Sequence, residues 1–169
     1  MKKSIKLWVF VVTALVSIGC DRVTKDLAKT HLKYEEPQSY LNNIFRLEYV
    51  ENTGAALSLG DNLSQPWSFI LLTLLPVIFM IGLVIYTIYN VGVLDKWSVL
   101  ALSLITAGGI GNIIDRILYD RHVTDFMNIG IGSLRTGIFN VADMCVTAGV
   151  IIMLLFSFRS SNQQKAVSN

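Results

Sequence analysis

Four stretches of the chain carry no charged residue: 7–20, 66–94, 97–114 and 144–158. A helix needs about 20 mostly apolar residues to cross the hydrocarbon core of a bilayer. Allowing for tilt and a polar residue at each end, the pattern predicts spans at about 5–24, 66–88, 97–116 and 141–158. The second and third are joined by a short turn, 89–96, so they are antiparallel neighbours. Between the first two spans the pattern changes. "IFRLEYVENTGAALSLG" (44–60) alternates around Ile44, Arg46, Glu48 and Val50 and then reaches Asn52-Thr53-Gly54, which predicts strand followed by a turn or bulge. A β-rich segment is therefore expected over about 38–62, lying on the surface of the membrane because a sheet edge cannot face lipid. The connection 117–139 is polar and Gly-rich around "NIGIGSLRTG" and reads as a mobile loop, and the tail 159–169 reads as disordered. The expected fold is an all-α polytopic membrane protein. It has four transmembrane helices, a small extracytoplasmic β-rich segment between helices 1 and 2, and one membrane-embedded domain over 1–158.

Composition agrees. Of the 169 residues, 53% are hydrophobic and 15% charged, with a mean hydropathy of +0.54; a soluble domain is about a quarter charged, so the solvent implied is lipid. Four spans put both termini on one side. The two ends and the 89–96 turn carry Lys2, Lys3, Lys6, Lys96, Arg159 and Lys165 against the single acid Asp95, which places both termini in the cytosol. The net charge of +2 comes without a basic tract, so no nucleic-acid partner is expected. The only histidines, His31 and His122, are isolated, and Cys20 and Cys145 form no CxxC pair; no metal and no cofactor are expected. The two cysteines read as small buried thiols rather than a disulfide.

"ALVSIGC" (14–20) approaches the signal of a bacterial lipoprotein, cut before a lipid-modified cysteine. That reading predicts a soluble remainder, whereas three more spans follow. Asp21 and Lys25, four apart on one helix face, suit a helix continuing into the interface.

Ionisable residues at membrane depth default to functional candidates. Asp21, Asp115, Asp125 and Asp143 qualify, and each has a bland reading. Asp21 can pair with Lys25. Asp115 sits beside Arg116 and near Asn112. Asn140 as N-cap with Asp143 three residues on imitates a capping box. Together they say more, because Asp115, Asp125 and Asp143 gather at one end of spans three and four, within reach of Asn52, Asn112 and Asn140. Two carboxylates close together cannot both ionise, so one holds a proton while the other is charged. Such a pair activates water and protonates a leaving group. Residue types alone leave open which two acids form the pair. Competing chemistries lack their signatures: there is no GxSG for a serine nucleophile and no GxGD for a presenilin-like pair. A non-enzymatic proton or ion path would spread its acids across the bilayer instead of clustering them at one face.

"DRVTK" (21–25), "NTGAALS" (52–58), "GNIIDR" (111–116), "VTDF" (123–126) and "FNVADM" (139–144) follow the order and spacing of the lipoprotein signal peptidase (signal peptidase II) family, which the chain resembles from about residue 5 to 158. The resemblance implies an aspartyl endopeptidase of the bacterial inner membrane. Such an enzyme removes signal peptides from diacylglyceryl-modified prolipoproteins by cutting just before the lipidated cysteine, with its active site near the outer face. It assigns the catalytic pair to Asp125 and Asp143. It assigns substrate-binding and oxyanion support to Asn52, Gly54, Asn112, Arg116 and Asn140, and support of the site to Asp21, Lys25 and Asp115. The partners it implies are membrane lipid, the lipidated substrates and cyclic-peptide inhibitors of the globomycin type, with the enzyme a monomer. The chain departs from the family at Gly137-Ile138, at Met144-Cys145 and in the Gly-rich 127–138, positions that bear on one wall of the site and on substrate preference.

Overall fold

The computed structural model describes residues 1–55 and 59–167, the last eleven as backbone alone. Its elements are α1 (Lys3–Leu32), β1 (Gln38–Tyr40), β2 (Phe45–Asn52), α2 (Trp67–Asn90), α3 (Lys96–Leu118), β3 (Val123–Ile131), β4 (Leu134–Arg135) and α4 (Val141–Val167). Three helices, α1 to α3, are long and apolar enough to cross a membrane, and Val141–Phe156 is a shorter apolar helix. The outward faces identify the solvent. In α2 the most apolar window has a mean hydropathy of 2.7, yet only 17% of it is buried. Ile78, Phe79, Ile81 and Ile85 point away from the protein, as a helix surrounded by lipid requires. Pro76 cannot donate to the carbonyl four residues back, and the turn before it, Ile70–Leu74, is wound as π-helix.

At one end of the bundle Asp95 caps α3 by accepting from the backbone amides of Trp97 and Ser98, and buried Lys6 donates to the carbonyls of Gly92 and Leu94 at 3.1 and 2.5 Å. This ties the start of α1 to the α2–α3 turn. The sheet lies at the opposite end. Along α1, Lys6 and Lys25 are separated by about 28 Å at 1.5 Å per residue, close to the thickness of a bilayer core. The last turns of α1 therefore rise beyond it. There Ala28 and Leu32 pack with Phe126 and, around them, Leu47, Tyr49, Met127 and Val141.

That sheet corrects the all-α expectation. It has four antiparallel strands in the order β1-β2-β3-β4 and is assembled from both long connections. Between α1 and α2 the strands end at Asn52; the Ala56–Ser58 part of the motif lies outside the described residues. The 117–139 connection, expected to be a mobile loop, holds the nine-residue β3 and a hairpin to β4. The hairpin turns at Gly132-Ser133, with Gly132 at φ +58°, a left-handed conformation glycine adopts freely. Between Leu47 and Val50 the β2–β3 register gains one residue, a bulge directly beside Asp125.

Helix α4 continues to Val167, through residues 159–167 of the tail expected to be disordered; residues 168 and 169 lie outside the described residues. "SNQQKAV" contains no Pro or Gly, and Gln, Lys and Ala favour helix, so nothing local stops it. Helices α3 and α4 meet at contact distance. A Cβ on Gly149 would lie 2.7 Å from the Ala101 carbonyl oxygen, and one on Gly108 would collide with the Ala142 carbonyl. Both positions need glycine for the backbones to touch. Both cysteines are free, with Cys20 exposed on α1.

Candidate active site

The site is built from five elements, α1, β2, β3, α3 and α4, meeting at the sheet end of the bundle. Asn140 begins it. As N-cap of α4 its side-chain oxygen accepts from the Asp143 amide at 3.0 Å, and its own amide donates to Asp143 Oδ2 at 3.0 Å. The capping box read from the spacing thus forms, and it pins Asp143 at a helix N-terminus, where negative charge is favoured. The Asn140 Nδ2 reaches across to Asp125 Oδ1 at 2.6 Å. One fully buried asparagine therefore holds both aspartates, Asp125 from β3 and Asp143 from α4. Asn52, at the end of β2, donates to Asp125 Oδ2 at 3.0 Å. Its own oxygen accepts from the Gly54 amide at 2.9 Å, a tight turn that brings Gly54 beside the site.

Beneath the aspartates lies a quartet of charges, the buried Asp21 and Lys25 and the half-buried Arg22 from α1, with the buried Asp115 from α3. Lys25 Nζ is 3.1 Å from Asp21 and 2.9 Å from Asp115, and Arg22 is 2.7 and 2.5 Å from the same two acids. Two positive and two negative charges cancel, which makes their burial tolerable. The quartet also grips the backbone. Asp115 Oδ2 accepts from the Thr124 amide at 3.2 Å, and Asp21 Oδ1 from the Ala142 amide at 2.9 Å. Thr124 and Ala142 each precede one of the two aspartates, so each aspartate follows directly on an anchored amide. Lys25 further donates to Asn112 Oδ1 at 3.0 Å. An ammonium only donates, so this fixes which way the Asn112 amide points and sends its Nδ2 to Asp143 Oδ1 at 2.8 Å.

The structure thus brings together all ten residues singled out in the sequence. Arg116 completes the set by donating to the Gly54 carbonyl at 2.6 Å, while its buried Nε has no partner among the described residues. Sequence reasoning missed Arg22. On α1 alone it looks like an interfacial cation, and its pairing with Asp115 appears only when α1 and α3 meet.

A cavity of about 740 Å³ opens beside the aspartates, lined by Asn112, Arg116, Asp125 and Asp143 at one end and by Val146 and Ile151 of α4 at the other. The two carboxyls differ in setting. Asp125 is 3% exposed and Asp143 is half-buried. Burial pushes Asp125 up to about 6, against the amides donated by Asn52 and Asn140 and helped by the charge of Asp143. A carboxyl that keeps its proton up to about pH 6 beside a second carboxylate can serve as acid while its neighbour serves as base.

Residues 13–159 match the family model described as signal peptidase (SPase) II. A lipoprotein signal peptidase of Streptococcus pyogenes serotype M1 is 35% identical over 146 residues, covering 86% of this chain and 90% of that protein. The corresponding protein of serotype M2 (strain MGAS10270) is 35% identical over 150 residues with the same coverage. Among solved structures, a bacterial membrane enzyme determined by the in meso method at 2.3 Å superposes with a TM-score of 0.76 at 28% identity, covering 91% of this chain and 90% of the other. A second such enzyme, at 1.9 Å, gives 0.71 at 29% identity over 86% and 90%.

Proposed function

The chain belongs to the signal peptidase II family, and from that premise we propose that it is an aspartyl endopeptidase that cuts diacylglyceryl-modified prolipoproteins just before the lipidated cysteine, with Asp125 and Asp143 as its catalytic pair. The observation that carries this reading is the single buried Asn140 clasping both carboxylates at the end of a cavity whose far part is apolar. All four helices cross the bacterial cytoplasmic membrane. Both termini lie in the cytosol with the basic residues around the 89–96 turn, and the sheet and the site lie near the outer face. The enzyme works as a monomer, and cyclic peptides of the globomycin type occupy the cavity at the aspartates.

In the mechanism, the signal helix lies along the apolar part of the cavity and presents its scissile carbonyl between the two aspartates. Asp143, at the helix N-terminus, takes a proton from water as the oxygen attacks the carbonyl carbon. Asp125 holds a proton and gives it to the departing amine as the C–N bond breaks. Arg116, which lines the cavity, acts with Asn52 and Gly54 on the peptide backbone and its developing negative charge. Lys25 acts at one remove by orienting Asn112.

The test is cleavage by the reconstituted protein of a prolipoprotein with and without the diacylglyceryl group. Product mass should place the new N-terminus at the lipidated cysteine; cleavage elsewhere, or of the unmodified form equally well, would refute the assignment. Because the active pair must hold one proton, kcat/KM is expected to fall as pH rises through about 6. Stability carries the same signature. Folding raises the Asp125 pKa from 3.8 to about 6, so the folded state binds the extra proton between those values. Thermal stability should therefore decline as pH rises across that window, and this limb should be absent in Asp125→Asn. A rate profile flat from pH 5 to 8 would remove the shared proton from the mechanism.

A further inference from the structure

A second cleft, of about 440 Å³, opens on the face of the sheet that carries Asp125. It shares Asn52, Asp125, Thr136, Gly137 and Ile138 with the catalytic cavity, so the two are arms that meet at Asp125. Their characters differ. The first arm runs along α4 past Val146 and Ile151, whereas the second is walled by Arg46, Glu48, Asn128 and Arg135. Away from the shared Asp125, its walls carry two guanidinium groups, Arg46 and Arg135, and one carboxylate, Glu48. Arg46 donates to Asn43 Oδ1 at 2.5 Å, and Arg135 donates to the Asn128 side chain and to the carbonyls of Asn43 and Ile44. All these partners are neutral, and among the described residues no acid forms an ion pair with either arginine.

A peptide cut at Asp125 must leave chain in both directions. If the apolar arm holds the signal helix, the charged arm is the path open to the chain beyond the cysteine. Arg46 lies opposite Asn128, three residues along β3 from Asp125, a distance of about 10 Å. An extended substrate would bring the second to fourth residues after the cysteine to that point.

Resting on the peptidase reading above, we infer that the Arg46–Arg135 cleft binds the segment following the lipidated cysteine and favours acidic side chains at its second to fourth positions. The experiment uses three diacylglyceryl-modified prolipoproteins that differ only there, carrying Asp, Asn or Lys, cleaved by wild type, Arg46→Gln and Arg46→Glu. Wild type should prefer Asp over Lys in kcat/KM by about fivefold, the scale of a partly screened ion pair, with the difference in KM. Arg46→Gln should flatten the ranking and Arg46→Glu should invert it. A variant that is merely damaged slows all three substrates alike and keeps the wild-type order, which would overturn the inference. A wild type that cuts all three equally would also overturn it while leaving the peptidase intact. A wild type that cuts none overturns the peptidase reading itself.

Discussion

Asp125→Asn and Asp143→Asn are each expected to lower prolipoprotein cleavage by about a thousandfold or more, within the range that general acid–base groups supply, while the protein still folds. Both substitutions keep the side-chain shape. Asp125→Asn leaves an oxygen to accept from Asn52 or Asn140, and Asp143→Asn leaves one for the Asn140 amide. What each removes is a proton site. An amide neither takes a proton from water nor yields one to a leaving amine, so no rearrangement of the remaining carboxyl restores both roles. The two losses should not add, because a pair that acts as a unit is disabled by either change. The check is single-turnover cleavage in lipid or detergent, with matching elution and melting behaviour to show that the variants are folded. Near-normal cleavage by either variant would exclude that residue from the chemistry.

The second large effect is structural. Asp115→Asn should cost about 3–5 kcal/mol, the usual penalty for leaving a buried charge uncompensated. Against a total stability of about 5–15 kcal/mol, this is a large drop in melting temperature. The reason lies in the balance of the quartet. With Asp115 neutral, Arg22 and Lys25 share Asp21 alone, and Lys25, only 1% exposed, is surrounded by protein. The double variant Lys25→Met/Asp115→Asn returns the cluster to one positive and one negative charge. It should be more stable than the sum of the two single changes predicts. Additive losses would mean that the charges do not act as a set.

Much of this site is legible in the sequence, and what is not has physical causes. Asp21 and Lys25 pair because four residues make a helical turn, and Asn140 and Asp143 cap each other because three residues do. Both are local geometry that spacing encodes. β3 is different. Val123, Thr124, Asp125 and Phe126 are all buried, since the strand is covered on both faces, and the alternation that betrayed β2 is absent. The glycines of "NIGIGS" then suggest a loop, although Gly132-Ser133 between the apolar Ile131 and Leu134 is also a hairpin signal. Arg22 and Arg46 escaped for a further reason. Each is unremarkable on its own element, and its meaning depends on a surface that folding brings to it from elsewhere in the chain.

The glycine contacts between α3 and α4 bear on how a substrate gains entry. Where the α3 and α4 backbones touch, at Gly108 and Gly149, Ile105 and Val146 pack beside the contact and the two helices form a closely packed plate. That plate carries Asn112, Arg116 and Asp143. The opposing rim is made of the turns around Gly54 and Thr136–Phe139, joined to the plate by a few hydrogen bonds such as Arg116 to the Gly54 carbonyl. On the peptidase reading, a peptide helix would be admitted more readily by displacing this rim than by parting α3 from α4.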